Sequence, residues 1–262
     1  MYKGFNLTLS DSFLNTDLSM TQYDICIDKE ENKQRIRKKV EDFMNAEGTV
    51  SADEIVEDWF DSIEADIFIS HSHRDEDLAI KLAIWLQDEF GLSSFIDSCV
   101  WGNFVDLSKD FNNRFSKSEF GSTYDYDKAQ NVFAHMNTIL NTSLTKMIDK
   151  CEVVFFLNTE NSISDSSFSK EGITLSPWIY HELLISKVIR KTPHIRGSME
   201  SKFEEKVFDS MISESLKIEY DLEIDHLYSL NEQNLDDWKR FKAMGVHPLT
   251  VLYSIIKPYK YG

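Results

Sequence analysis

ADIFISHSHRDEDLA, residues 65–79, is the segment that most clearly indicates the fold of this chain. It begins with a short apolar run that ends in polar residues, which is typical of a buried parallel strand. The residues that follow place Leu78, Leu82 and Leu86 on one stripe of an amphipathic helix, and Gly91 predicts the end of that helix. A strand followed at once by such a helix is the repeating unit of an α/β sheet.

Two further apolar runs continue the pattern. SSFID at 93–97 predicts a second strand, and CEVVFFLN at 151–158 predicts a central strand because it is apolar on both faces. Residues 128–149 carry the apolar spacing of a helix. The polar stretch at about 98–127 is expected to be a long loop inserted between these elements. This alternation predicts a parallel sheet with helices on both faces.

The chain is expected to divide at residue 62. Residues 1–62 read as a small, mostly helical N-terminal α/β extension, with a short strand in YKGFNLTL, and residues 63–262 read as the main domain. Several weaker signals follow the last strong strand. They predict helices at 203–213, 234–241 and 247–256, and strands at 216–220 and 225–229.

Charge and cysteine content narrow the class of protein. A formal net charge of −17 disfavours nucleic acid and anionic membranes as partners, because both repel an acidic surface. The cysteines Cys26, Cys99 and Cys151 are scattered, so neither a zinc site nor a disulfide framework is expected. The first residues lack a signal sequence, and no apolar run is long enough to span a membrane, so a cytoplasmic location is expected.

Polar residues accumulate directly after each predicted strand. They form SHSHRDED at 70–77, DSCVWGNF at 97–104 and NTENSIS at 158–164. In open α/β sheets, ligands bind in a crevice beyond the carboxyl ends of the strands. These three segments are therefore expected to line a ligand crevice.

The segment SPWIYHEL at 176–183 holds the strongest candidate residues. Ser176 and Pro177 predict the start of a helix, which places Trp178 and Glu182 one turn apart on one face. A carboxylate half-buried beside an indole ring is suited to an electrostatic role in catalysis. The alternative is that Trp178 belongs to the core and Glu182 leans toward water, as glutamates on helices commonly do.

The loop after the first predicted strand offers several hydrogen-bond donors. Ser70, His71, Ser72 and Arg74 could bind phosphate or ribose hydroxyls at the carboxyl end of the strand. The two histidines of this loop lack an obvious third ligand, so a metal site is not expected. The alternative is a hydrated loop in which Asp75 caps the next helix.

Asp97 and Trp101 fall after the second predicted strand. Trp101 in a polar loop could stack on a base, or it could anchor the loop to the core. Neither a GxGxxG nor a GxxxxGK[ST] sequence occurs, so a glycine-rich phosphate cradle is not expected. No Ser-His-Asp arrangement can be argued from the sequence.

Taken together, DIFISHSHRDED, the FID at 95–97, VVFFLN at 153–158 and the W-x-x-x-E of SPWIYHEL resemble a TIR (Toll/interleukin-1 receptor) domain in its bacterial form. The motifs occur in the order of the family and cover about residues 63–190. The resemblance implies a flavodoxin-like sheet. The stretch between FID and VVFFLN is longer than usual, and His71 and Ser72 replace the aromatic-basic pair that often follows the strand.

The resemblance also implies an activity. Many bacterial TIR domains cleave the nicotinamide–ribose bond of NAD⁺, and the catalytic glutamate of that family corresponds to Glu182 here, with Trp178 shaping the pocket. NAD⁺ is then the substrate, no cofactor is expected, and the product is ADP-ribose, a cyclic form or a conjugate. Self-association and a separate effector protein that responds to the product are also implied, as in antiphage systems such as Thoeris.

Two other functions remain open at this point. One is a TIR scaffold that has no catalytic activity and only pairs with other TIR domains. The other is a flavodoxin-like enzyme of a different kind, such as a nucleoside deoxyribosyltransferase, which also uses a glutamate on ribose.

Overall fold

The computed structural model describes residues 1–9, 40–60, 64–96, 98–118, 123–164, 172–192, 218–242 and 245–256. The fold is α/β, with a five-stranded parallel sheet flanked by helices. The strands of this sheet are β1 Lys3–Thr8, β2 Ile67–Ser70, β3 Ser94–Ile96, β4 Val153–Leu157 and β7 Tyr228–Asn231. A separate antiparallel pair is formed by β5 Ile173–Thr174 and β6 Tyr220–Asp221.

Helices cover both faces of the sheet. Their bounds are α1 Ala52–Phe60, α2 Glu76–Phe90, α3 Ser98–Phe115, α4 Tyr126–Lys150, α5 Pro177–Val188, α6 Glu232–Arg240 and α7 Pro248–Ile255. Residues of α2, α6 and α7 pack in the core on one face, which we call the α2 face. Residues of α1, α3, α4 and α5 pack in the cores on the other, which we call the α5 face. The structure therefore confirms the predicted α/β class with helices on both faces.

The spatial strand order is β3-β2-β4-β1-β7. If β2 is counted as strand 1, β3 as strand 2 and β4 as strand 3, the first three positions read 2-1-3. This is how the flavodoxin-like strand order begins, so the sheet is consistent with that fold. The fourth position is filled by β1 from the start of the chain. Lys3 to Leu7 pair with Val153 to Leu157, and Phe5 to Thr8 pair with β7.

The position of β1 corrects the predicted division of the chain. The strand predicted in YKGFNLTL exists, but it lies inside the main sheet and not in an extension. Its alternate residues Phe5 and Leu7 are completely buried in the core of the α2 face, which gives the strand a place between two neighbours. Helix α1 begins directly after Ser51, whose Oγ accepts a hydrogen bond from the Glu54 amide at 3.3 Å.

The polar stretch after β3 is also different from its prediction. Most of it is helix α3, and after the helix Lys117 and Tyr124 form an antiparallel bridge. Leu107 and Phe111, one helical turn apart, are buried against α4. Their spacing is the apolar signal that the many Asn, Ser and Asp residues concealed.

Most other predicted elements are confirmed. The helix predicted at 128–149 is α4, the central strand is β4, and Gly91 ends α2 with a φ of 66°. The weak strand signals correspond to β6 and β7, displaced by a few residues. The helix predicted at 203–213 lies outside the described residues. Among the residues that the structure describes, none of the helices is both long and apolar enough to cross a membrane.

Candidate active site

Two central strands define a crevice at the carboxyl edge of the sheet. From β2 the chain passes through α2, on the α2 face, to the outer strand β3. From β4 it passes through α5, on the α5 face, toward the opposite edge of the sheet. Adjacent strands whose connections leave in opposite directions form the switch point at which open α/β sheets bind ligands.

Helix α5 begins as its sequence predicts. The backbone of Ser176 is extended, and its Oγ accepts a hydrogen bond from the Ile179 amide at 3.3 Å. Pro177 occupies the first turn, where a missing amide hydrogen costs nothing. The cap fixes where the helix starts and therefore which of its side chains turn toward the sheet.

Glu182 is buried under this helix, with only 1% of its surface exposed. Trp178 and Ile185 flank it on one side and pack against a core that includes Phe68. On the other side, Ile179 and Leu183 pack with Phe156 of β4. Since Glu182 lies between these two rows on the helix, its carboxylate is directed at the sheet. The alternative in which Glu182 leans toward water is wrong.

A row of polar side chains crosses the sheet beneath α5. Ser70 of β2 and Asn6 of β1 both pair in register with Phe156, one on each side. Side chains alternate along a strand, so all three lie on the α5 face, opposite the residues that fill the core of the α2 face. Ser70 is 0% exposed, and among the described residues neither its Oγ nor the Oδ1 of Asn6 has a hydrogen-bond partner.

These two atoms offer hydrogen-bonding capacity at the site. The sequence does not indicate Asn6, because the pattern around it places its strand in an N-terminal extension and not in the main sheet. Its signal would have been a polar residue alternating with the buried Phe5 and Leu7.

The other candidates of the β2 loop differ in their surroundings. His71 is buried, and its Nδ1 lies 3.3 Å from the Ile69 carbonyl oxygen. Ser72 is half-buried, and its Oγ accepts a hydrogen bond from the Arg74 amide, so it caps the short 3₁₀ turn His73–Asp75. The Arg74 side chain is exposed. Of the candidates in this loop, Ser70 and His71 are thus the two that lie in the interior.

Asp75 joins the loops on the two sides of the crevice. Its carboxylate accepts one hydrogen bond from Thr159 Oγ1 at 2.6 Å and another from Asn161 Nδ2 at 2.7 Å. Asp75 precedes α2 but makes no side-chain cap there, so the predicted helix cap is wrong. Sequence reasoning missed this contact, because Thr159 and Asn161 are far from Asp75 along the chain.

Two half-buried histidines make side-chain contacts at α5, one on the helix and one packed against it. Ser186 Oγ donates to the Leu183 carbonyl and lies 2.8 Å from Nε2 of His226. Because the single hydroxyl proton is used, Nε2 of His226 carries a hydrogen and donates to Ser186. Burial, followed by the charge of Lys191, lowers the pKa of His226 to about 4. Burial also lowers the pKa of His181, which lies beside Thr145.

A second depression opens at the far end of the same edge. It is a shallow, open cavity of about 380 Å³ beyond the carboxyl ends of β1 and β7. Its lining residues are Thr8, Leu9, Asn231, Glu232 and Gln233. Two backbone amides at this helix start, those of Asn231 and Asn234, are already used, because the two residues exchange side-chain to backbone hydrogen bonds in a capping box.

Two candidate side chains fall outside the described part of the structure. Asp97 lies outside the described residues. Trp101 belongs to helix α3 and not to a loop, so the predicted loop tryptophan is wrong, and its side chain is outside the description. Across the described parts of the chain, no three His, Cys, Asp or Glu side chains are grouped closely enough to hold a metal ion.

The site therefore consists of a buried carboxylate, an indole at its edge and two polar side chains on the sheet below. Such a set can stabilise positive charge and accept or donate hydrogen bonds to hydroxyl groups. Comparison of the chain with models of protein families, with curated proteins and with solved structures finds no match.

Proposed function

We propose that the protein is a TIR-type NAD⁺ nucleosidase that breaks the bond between nicotinamide and ribose. The observation that carries the proposal is the burial of the Glu182 carboxylate one turn after Trp178, on the helix that covers the end of the central strand. Burial of a carboxylate is costly, so a fold rarely keeps one inside without a use for its charge. The W-x-x-x-E resemblance supplies the kind of reaction.

The chemistry matches the groups present. When the bond between ribose C1′ and nicotinamide breaks, the electron pair leaves with nicotinamide, which departs as a neutral molecule. The ribose is left with oxocarbenium character, and a fixed carboxylate in a medium of low dielectric stabilises that charge strongly. Glu182 therefore acts electrostatically. Water, or another nucleophile, then adds to C1′ and loses its proton to solvent.

The polar row on the sheet would hold the sugar. Ser70 Oγ can donate and accept, and Asn6 Oδ1 can accept from a ribose hydroxyl. Their strands lie on either side of β4, so their Cα atoms are about 10 Å apart. That span holds a ribose ring with one hydrogen bond at each end. Phe156 lies between them as an apolar floor.

Substrate reaches Glu182 only if the helix and the sheet separate, because the carboxylate is covered. Two exposed apolar residues flank the helix: Leu175 precedes it and is 47% exposed, and Val188 ends it and is 66% exposed. A second copy that contacts these residues would move the helix. Activity would then depend on self-association, and the product would serve as a signal for a separate effector.

The test is incubation of the purified chain with NAD⁺ over a wide range of protein concentrations, with products identified by mass spectrometry. We expect nicotinamide release that rises more steeply than protein concentration. Glu182→Gln should lower turnover by about 10²–10³-fold, whereas Glu57→Gln, which removes an exposed carboxylate on α1, should not.

Three outcomes would overturn the proposal. If NAD⁺ stays intact at every concentration of folded, associated protein, the protein is a scaffold without this catalytic activity. Exchange of bases between deoxynucleosides would indicate a deoxyribosyltransferase. NAD⁺ cleavage retained in Glu182→Gln would mean that another group carries the reaction.

A further inference from the structure

We infer that Asp75 is a positioning residue for Glu182, which it controls through the loop that follows β4. The inference rests on the proposed function of Glu182 and concerns how that side chain is held. Asp75 lies at the start of α2, on the opposite side of the crevice from α5. A chain of contacts between the two can be followed residue by residue.

The first link is the carboxylate itself. Asp75 is 7% exposed, and both of its oxygens accept hydrogen bonds from the β4 loop, Oδ2 from Thr159 and Oδ1 from Asn161. Both partners are donors, so the position needs two acceptors. A carboxylate provides two acceptor oxygens, whereas an asparagine amide provides one. The charge also strengthens each bond relative to a neutral pair.

The second link is the turn that Thr159 builds. Its Oγ1 accepts hydrogen bonds from the backbone amides of Asn161 and Ser162, each at 3.2 Å. Its single hydroxyl proton goes to Asp75 at 2.6 Å, since Ser162 Oγ, the other acceptor within reach among the described residues, is more distant at 3.3 Å. Asp75 therefore sets the orientation of the hydroxyl around which residues 159–162 turn.

The third link joins this turn to helix α5. Ile163 packs against the cluster that contains Ile179 and Leu183, the pair that flanks Glu182 on one side. Ser164 and Ile173 exchange two backbone hydrogen bonds at 2.8 and 2.9 Å, so the turn is tied to β5.

The tie continues into the helix cap. Thr174 Oγ1 accepts from the Ser176 amide at 3.2 Å, and Ser176 caps α5. A displacement of residues 159–164 is therefore transmitted both to the apolar seat of the helix and to its first residue.

An exchange of the two partners tests this link. Asp75→Asn places two amide donors against each other, and Asn161→Asp places two carboxylates against each other. The double variant Asp75→Asn/Asn161→Asp restores a donor, an acceptor and the total charge. Asp77→Asn, an exposed change on the same helix, is the control. Two readouts are needed: hydrogen exchange of the α5 amides, and kcat and KM for NAD⁺ separately.

We expect each single variant to speed exchange in α5 and to lower kcat at least about tenfold, because displacement of a catalytic group by about 1 Å has large effects. The double variant should recover kcat to within about threefold of the parent, a difference of roughly 0.65 kcal/mol in activation free energy. Asp77→Asn should behave as the parent chain.

Two results would overturn the inference: unchanged exchange in α5, or faster exchange with kcat unaffected. If the parent chain does not cleave NAD⁺, the proposed reaction fails. The link between Asp75 and α5 is then still decided by the exchange measurement alone.

Discussion

The two ends of one sheet edge contrast sharply. At the β2 and β4 end, helix α5 covers the sheet, and its own Glu182 and Ser70 of β2 are both almost completely buried. At the β1 and β7 end, the edge opens into a cavity of about 380 Å³ lined by residues that include Thr8 and Glu232. The same parallel sheet, at the same level, thus produces a covered set of polar groups and an open depression.

The difference lies in how polar groups are satisfied. At the open end, the capping box pairs the side-chain oxygen of each of Asn231 and Asn234 with the backbone amide of the other. At the closed end, Ser70 Oγ and Asn6 Oδ1 have no hydrogen-bond partner among the described residues. Buried polar groups without partners cost free energy and require an explanation, whereas a depression on a surface does not. The closed end is therefore the better candidate for chemistry.

The largest difference between the two ends is expected when one glutamate at each end is replaced by the shorter aspartate and kcat is compared. Glu182→Asp keeps the charge but withdraws it by one methylene within a packed interior. We expect kcat for NAD⁺ to fall about 100-fold, since a small misplacement of a catalytic group has that consequence. Glu232→Asp at the open cavity should leave kcat unchanged. A larger loss of kcat in Glu232→Asp than in Glu182→Asp would instead place the reaction at the open cavity.

A smaller effect is expected from the polar row. Ser70→Ala removes a hydroxyl with no described partner, so the free energy of unfolding should change by less than about 0.5 kcal/mol. Loss of a ribose contact should lower kcat/KM about tenfold, and Asn6→Ala should act in the same direction. Thr8→Ala, on the open side, is the matched control. Denaturant unfolding and steady-state kinetics measure both quantities, and a stability loss without a kinetic one would make Ser70 purely structural.

The capping box should show the opposite pattern. Asn231→Ala removes the acceptor for the Asn234 amide, which should lower the free energy of unfolding by about 1 kcal/mol. Because the open end has no role in the proposed reaction, kcat/KM should not change. Reduced kcat/KM at unchanged stability would instead place function at the open cavity.

Replacement of His226 is expected to change the unfolding free energy least at neutral pH. Its pKa in the folded state is lowered to about 4 by burial and by Lys191 and Lys187, against the opposing charge of Asp225. As pH falls below the ordinary histidine value of about 6.5, the unfolded chain binds a proton that the folded chain refuses. Stability should therefore fall between about pH 6.5 and 4 and change no further below that, as far as this group is concerned.

The variant His226→Gln tests this expectation. Glutamine can still donate to Ser186 Oγ but does not titrate, so it should weaken the dependence of unfolding free energy on pH in that window. Hydrogen exchange should show α5 loosening in acid before α6, because Ser186 lies on α5. If the pH dependence of the unfolding free energy is the same in the variant, His226 is not the group that causes it.

Local patterns predicted much of the fold. The apolar run ending at Ser70, the stripe on α2 and the Gly91 stop are signals within a few residues of each other, and each element formed where they indicated. The place of β1 could not be read in this way, because it depends on strands far along the chain. Helix α3 was missed because a few apolar residues, Leu107 and Phe111 among them, were diluted in a polar segment.

The site was predictable only in part for the same reason. The spacing of Trp178 and Glu182 gave their common face, and the cap at Ser176 gave the start of the helix. The burial of Glu182 depends on what the sheet places beneath it, and this includes a residue from β1. The partners of Asp75 depend on the pairing of β2 with β4, which no local pattern contains.

The interior position of β1 also constrains how the molecule folds. Its pairing register joins Lys3 to Val153 and Phe5 to Tyr228, so β1 must wait for two strands that are synthesised well after it. Contacts so distant in sequence close slowly, and meanwhile the apolar edge of β4 stays open to pairing with other chains. Yield during synthesis, and reliance on chaperones, should therefore respond to mutations in β1 more strongly than its length suggests.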